Sequence, residues 1–240
     1  MKKFLLSVVV LVVLCGFTIS GSIISWGVVP NSKETTPEAP KGGAELLKKY
    51  GGVFVNETGE KNVYFTFDLG YEAGYTAEVL DILKENNIKA IFFLCGNYLQ
   101  HDELIERMIT EGHTIGNHTD RHKDLPKLSD EAMRKDIADF NEKYGKKTTH
   151  FRPPQGRISE RVLKEVQDQG MKTVMWSIAI VDWGKTPIPA KPNADKIAKR
   201  IHPGAIILFH ITNSGTPEML RLLIPQIVEK GYTIADAGCL

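Results

Sequence analysis

With 240 residues, 42% hydrophobic and 25% charged, the chain suits one folded domain with a sizeable core and is neither a disordered nor a collagen-like polymer. Thirty Lys and Arg against 29 Asp and Glu leave a net charge of +1, which argues against an electrostatic grip on nucleic acid. Three cysteines (Cys15, Cys95, Cys239) are too few for a disulfide scaffold, and without Cys-x-x-Cys spacing they argue against a thiolate zinc site. A Cys95–Cys239 bridge in an oxidising compartment and two unpaired thiols both stay open.

Met1-Lys2-Lys3 is followed by no charge from Phe4 to Ser32, and the densest apolar run, FLLSVVVLVVLCGF, stands directly behind the lysines. That is the pattern of an export signal. Small residues at Thr18, Ser20 and Ser22 offer cleavage points, whereas Ile23, Ile24, Trp26, Val28 and Val29 lengthen the stretch toward an uncleaved membrane anchor. Either outcome places the body outside the cytoplasm. Residues 1–29 are therefore expected to be signal or anchor, residues 30–43 (PNSKETTPEAPKGG) a linker, and residues 44–240 the folded domain.

From Lys61 onward, short apolar runs alternate with amphipathic ones. Strands are predicted at VYFTF, KAIFFL, HTIGN, HFRP, KTVMWSI, AIILF and YTIADA. Helices are predicted at YTAEVLDILKENN, ELIERMITEG, SDEAMRKDIADFNEKYG, SERVLKEVQDQG and PEMLRLLIPQIVEKG. The alternation implies an α/β class with a mainly parallel sheet. Unusual polar residues follow the strands: Asp68, His118, Arg152, Asp182 and His210. A barrel gathers five such ends around one mouth, whereas an open sheet spreads them along a line at about 4.8 Å per strand. A distorted (β/α) barrel of about seven parallel strands is expected. Gly70-Tyr71-Glu72-Ala73-Gly74 fits neither glycine template for a nucleotide phosphate.

His118-Thr119-Asp120-Arg121-His122 spaces two imidazoles four apart, which on a helical turn converges their nitrogens on a divalent metal; a solvated helix face has the same spacing. Asp68 closes an apolar strand and suits a general base, with a turn-forming Asp as the plainer reading. His210 suits a general acid for a leaving amine, the alternative being a core histidine. Arg152, between Phe151 and two prolines, is placed to orient the base carboxylate or to form an ordinary structural ion pair.

This combination resembles the polysaccharide deacetylase family (NodB-type), over about Tyr64 to Ala235. Thr66-Phe67-Asp68-Leu69-Gly70 is similar to its TFDDG motif, His118–His122 to H(S/T)xxH, and Arg152-Pro153-Pro154-Gln155-Gly156 to RxPxG. Asp182-Trp183 and Leu208-Phe209-His210 follow in family order. The resemblance implies a distorted (β/α) barrel with Asp68 as base, His118 and His122 as ligands of a divalent metal such as Zn2+, and His210 as acid. It also implies Asp182 tuning His210, Arg152 holding Asp68, a backbone N–H at Gln155 on the oxyanion, and Trp183 with Leu208 walling the acetyl pocket.

Leu69 departs from the pattern, standing where the family has a second Asp as third ligand. Two imidazoles and water should hold zinc more weakly than two imidazoles and a carboxylate. Glu72 is the nearest substitute in sequence, although a solvent-facing Glu is the plainer reading. DLGYEAGYT, RPPQGRISE, WSIAIVDW and HPGAIILFH are similar to the branch that deacetylates N-acetylmuramic acid in peptidoglycan on the way to muramic δ-lactam of spore cortex. That branch implies peptidoglycan strands as partner, a peptide-free muramic residue as substrate, and a cation for its lactyl carboxylate, for which Arg157 is the candidate. Two alternatives stand beside it: a deacetylase of N-acetylglucosamine in peptidoglycan or chitin-like chains, and a catalytically silent glycan-binding module. His101, His113, His150 and His202 are expected to be structural or exposed.

Overall fold

The computed structural model describes residues 22–30, 34–184 and 186–240; the apolar run expected to direct export, with Cys15, Thr18 and Ser20, lies outside them. In chain order, the first half holds β1 (Ile24–Ser25), α1 (Gly43–Lys49), β2 (Asn62–Leu69), α2 (Thr76–Glu85), β3 (Ile91–Leu94), α3 (Asp102–Thr110), β4 (Thr114–Asn117) and α4 (Asp130–Tyr144). The second holds β5 (His150–Phe151), β6 (Arg157–Ile158), α5 (Glu160–Asp168), β7 (Lys172–Thr173), β8 (Ile178–Ala179), α6 (Ala190–Ala198), β9 (Ala205–His210), α7 (Thr216–Glu229) and β10 (Thr233–Ile234).

Seven strands pair in the order β7, β5, β4, β3, β2, β9, β8, and every pairing is parallel. β10 adds in parallel to the start of β2. The sheet curls into the expected distorted barrel, and KTVMWSI, predicted as one strand, shows how. Its first residues form β7 beside β5 and its last opens β8 beside β9, so residues 174–177 carry the chain from one sheet edge to the other. Val174 N–H donates to Phe151 O at 2.8 Å and Ser177 N–H to Ile206 O at 2.9 Å, one bond to each edge. Val53 and Val55 bridge to Val174 and Ala205 and support the same junction.

Alternation along the strands sorts the side chains into two layers. Val63, Phe65, Phe67 and Leu69 of β2, Phe92 and Leu94 of β3, and Ile207 and Phe209 of β9 pack in one core with the apolar stripes of α2, α6 and α7. Phe67 stacks on Phe92 at 5.0 Å and on Phe209 at 5.3 Å, and each fully buried phenyl contributes up to about 3 kcal/mol. Tyr64, Ile91, Phe93, Val174 and Ile206 form a second cluster on the opposite face, inside the curl. Gly116 belongs to that inner layer, since a Cβ there would lie 2.4 Å from the Phe93 ring.

Two regions differ from expectation. Ile24, Ser25 and Trp26, assigned on sequence to signal or anchor, are part of the body: β1 pairs antiparallel with β6, Trp26 N–H donates to Gly156 O at 2.7 Å, and the indole N–H donates to Trp176 O at 3.0 Å. Trp26 is buried against Phe54, and Pro37 in the expected linker is buried as well. The folded body therefore takes in residues N-terminal to 44. Second, α6 forms in a stretch where Pro187, Pro189 and Pro192 hide the helical pattern; Pro189 precedes the helix and Pro192 sits in its first turn, where no N–H is needed. Among the described residues, no helix is long and apolar enough to cross a membrane. Cys95 and Cys239 are both free, one following β3 and the other following β10, which pairs with the opposite end of the sheet. No bridge joins them.

Candidate active site

All five polar residues predicted at strand ends lie at the carboxyl end of the barrel: Asp68 within the last two residues of β2, His118 just after β4, Arg152 just after β5, Asp182 beyond β8, and His210 closing β9. Asp68 and His210 are direct register partners on adjacent parallel strands. Strand parity puts Asp68, after Tyr64 and Thr66, and His210, after Ile206 and Leu208, on the inner face.

Arg152 is wholly buried and each of its three guanidinium nitrogens donates a hydrogen bond. Its Nη1 donates to Asp68 Oδ1 at 2.9 Å, Nε to Val174 O at 2.8 Å and Nη2 to Met175 O at 3.2 Å, while the guanidinium lies 4.3 Å from the centre of the Phe93 ring. Burial acts to raise the Asp68 pKa, but the Arg152 charge, helped by His118 and His210, outweighs it and holds the carboxyl below its ordinary value. Asp68 is thus ionised, with Oδ2 left for a second partner.

His210 is oriented by Asp182, which is fully buried. The Asp182 carboxylate accepts the His210 backbone N–H at 2.7 Å through Oδ2 and the ring Nδ1–H at 2.8 Å through Oδ1. A carboxylate only accepts, so Nδ1 carries hydrogen and Nε2 is the ring nitrogen left for a further partner. Burial opposes the charged ring, yet the hydrogen bond and charge of Asp182 prevail and raise its pKa. An ionised carboxylate and a protonated imidazole on neighbouring strands make a base and acid pair.

The two imidazoles converge, though not on a helix as the spacing suggested. Residues 118–122 form a loop with left-handed backbone at Thr119 (φ 66°) and His122 (φ 52°), pinned by Thr119 N–H to Asn117 Oδ1 at 2.8 Å and His122 N–H to Thr119 Oγ1 at 2.9 Å. The rings lie 4.9 Å apart. His118 Nδ1–H donates to Arg152 O at 2.7 Å, which leaves Nε2 with its lone pair facing inward, and burial lowers its pKa to about 4. A neutral imidazole with one nitrogen spoken for is the state a metal ligand needs. Burial lowers the His122 pKa too.

Sequence reasoning missed a third donor. The Cys95 thiol sits with these rings, all three ligand atoms lying within 4.8 Å of one another. Burial pushes the metal-free thiol pKa well up. The donor set of two neutral imidazoles and a sulfur fits a borderline-soft divalent metal. Glu72 is not a ligand: Oε1 accepts the N–H groups of Gly74 and Thr76 at the start of α2, and Oε2 accepts the Tyr98 hydroxyl at 2.7 Å.

Around this centre, Trp183 packs edge-on to His210 at 5.1 Å with 53% of its surface exposed, so its face is free for a ligand. Leu208 lines the inner face two residues before His210. Gln155 is exposed in left-handed backbone (φ 59°) after two buried prolines. Gly156 follows at φ 62°, and a Cβ there would lie 2.6 Å from Trp176, so only glycine fits the turn. Arg157 is not a free cation: its Nη1 pairs with Asp124 at 2.9 Å. His113, His150 and His202 are buried structural residues, with His202 bonded to Ser177 at 2.9 Å. A hollow of about 500 Å3 lined by Leu99, Ile105, Ile109 and Tyr144 holds none of the groups above.

The family model described as polysaccharide deacetylase matches residues 55–174. The peptidoglycan-N-acetylmuramic acid deacetylase PdaA of Bacillus subtilis is 39% identical over 217 residues, 88% of this chain and 82% of that protein. A peptidoglycan-N-acetylglucosamine deacetylase of Bacillus cereus is 32% identical over 221 residues, 87% of this chain and 80% of that protein. Among solved structures, that of Bacillus subtilis PdaA, described as a family 4 carbohydrate esterase, superposes with a TM-score of 0.85 at 38% identity, covering 91% of this chain and 96% of the other.

Proposed function

The chain belongs to the polysaccharide deacetylase family, and we propose that within it the protein acts on peptidoglycan, hydrolysing the acetamide of N-acetylmuramic acid and so preparing the muramic residue for the δ-lactam of spore cortex. The observation that carries the chemistry is the register pairing of Asp68, kept ionised by the Arg152 charge, with His210, kept protonated by the Asp182 carboxylate that accepts from it. His118 and His122 would hold a divalent metal, whose chemistry there would be Lewis-acid polarisation of the acetyl carbonyl. Asp68 Oδ2 takes a proton from the attacking water, and His210 Nε2 gives one to the departing nitrogen. The Gln155 N–H, presented by its left-handed turn, is assigned to the developing oxyanion, and Leu208 with Trp183 to the acetyl methyl and the sugar face.

Muramic acid is preferred over glucosamine because the PdaA similarity is the stronger of the two in identity, 39% against 32%, over a like share of the chain. Its lactyl carboxylate would share Arg157 with Asp124. A silent glycan-binding module, the reading suggested by Leu69, leaves the paired orientation of Asp68 and His210 without a use. The test is to incubate the protein with peptide-free peptidoglycan, with peptide-bearing peptidoglycan and with N-acetylglucosamine oligomers, and to follow acetyl loss by mass spectrometry. Acetyl loss from muramic residues of the peptide-free glycan is expected. Turnover of glucosamine residues alone, or activity surviving Asp68→Asn, would refute the assignment.

A further inference from the structure

We propose that Cys95 is the third protein ligand of the metal held by His118 and His122, giving this chain a two-histidine, one-thiolate centre in place of the carboxylate that Leu69 has removed. The proposal deepens the deacetylase reading and rests on it for the metal's purpose.

Strand parity explains why the donor has changed strands. On β2, Leu69 shares its face with Val63, Phe65 and Phe67 and is fully buried in the core beneath the helices. On the adjacent β3, Ile91 and Phe93 face the inside of the barrel, so Cys95, two residues on, points to the same interior as Asp68 and His118. The two positions are neighbours, because Cys95 N–H donates to Leu69 O at 3.0 Å.

The thiol is also tied to the imidazole loop. Cys95 Sγ–H donates to His118 O at 3.4 Å, and the following Gly96 N–H is shared between Thr119 O and Asp120 O, each at 3.1 Å. A Cβ at Gly96 would lie 1.9 Å from Asp120 Oδ1, so this close approach of β3 to the loop depends on glycine. The three donor atoms lie within 4.8 Å of one another, a limit that takes in the roughly 3.3–3.6 Å separations that follow from tetrahedral zinc bonds of about 2.0–2.3 Å. His122 is the exposed member of the three and stands on a loop, whereas Cys95 and His118 are buried. On binding, the S–H bond breaks, its proton passes to solvent, and a metal–sulfur bond forms. A thiolate favours zinc or cobalt over magnesium, calcium or manganese.

The experiment loads the full protein with cobalt(II) and records its spectrum. A thiolate-to-cobalt charge-transfer band in the near ultraviolet is expected at one equivalent, unchanged in Cys239→Ser and absent in Cys95→Ser. The latter should also bind zinc at least about tenfold more weakly, a cost that even loss of a ligand's hydrogen-bond partner incurs. X-ray absorption of the unmutated zinc protein should show one sulfur at about 2.3 Å, which tests the proposal even where Cys95→Ser fails to fold. Cobalt bound without the band, or a zinc shell of nitrogen and oxygen alone, would overturn it. Deacetylation without the band would sink the cysteine ligand and leave the activity standing; the band without deacetylation would do the reverse.

Discussion

Asp182→Asn probes the acid half of the site with little change of volume. The carboxylate accepts two hydrogen bonds from His210, from Nδ1 at 2.8 Å and from the backbone N–H at 2.7 Å, and is fully buried while doing so. An amide keeps one acceptor oxygen and turns the other position into a donor, so one bond is lost and the negative charge goes with it. A hydrogen bond to a charged group is worth about 1.5–3 kcal/mol, which sets the expected fall in kcat/KM near neutral pH at about 10- to 150-fold. The pH dependence gives the sharper test. Burial alone lowers the His210 pKa, and Asp182 is what raises it above the ordinary value. With the carboxylate gone, the ring loses its proton at lower pH, so the alkaline decline of kcat/KM moves down and the deficit shrinks in acid. The measurement is kcat/KM on peptide-free glycan across the pH range for both proteins, with the thermal midpoint as a control for folding. A deficit of constant size with the alkaline limb unmoved would refute the argument and leave Asp182 a purely structural residue.

Arg152→Met strands Asp68 as an unpaired buried carboxylate and should cost about 3–5 kcal/mol in urea unfolding followed by tryptophan fluorescence. Adding Asp68→Asn should recover part of that loss, with a coupling of at least about 1 kcal/mol in the double-mutant cycle; additivity would mean the pair does not interact as described. Trp26→Ala should destabilise by about 3–5 kcal/mol, because a buried indole and its bond to Trp176 O are both removed, and a denaturation midpoint near the unmutated one would show that the segment around β1 is peripheral.

Much of the catalytic centre could be read from the strands themselves. Asp68 and His210 each close an apolar run, and in a parallel barrel that position faces the mouth, so two residues far apart in the chain become register partners. The convergence of His118 and His122 is legible in their spacing but its backbone is not: a spacing of four is common to helices and to this loop, and left-handed Thr119 and His122 have no signature in composition. The spacing rule for thiolate zinc sites looks for paired cysteines and does not single out Cys95, yet the alternation Ile91, Phe93, Cys95 carries its direction. Trp26 in an apolar stretch is compatible with an anchor or with a core, and only the partners for its two N–H groups, supplied by Trp176 and Gly156, decide for the core. The break in KTVMWSI was not legible, since its cause is the meeting of two sheet edges that no local pattern describes.

The junction at residues 174–177 ties turnover to the completion of folding. The carbonyls that fix Arg152 are those of Val174 and Met175, inside the very segment that sutures the sheet's two margins. A chain with every helix formed and that suture still open has no rigid cradle for the guanidinium and therefore no aligned carboxylate. Regain of hydrolysis after dilution from denaturant should accordingly trail the return of helical signal, reporting the last stitch in the barrel rather than the first.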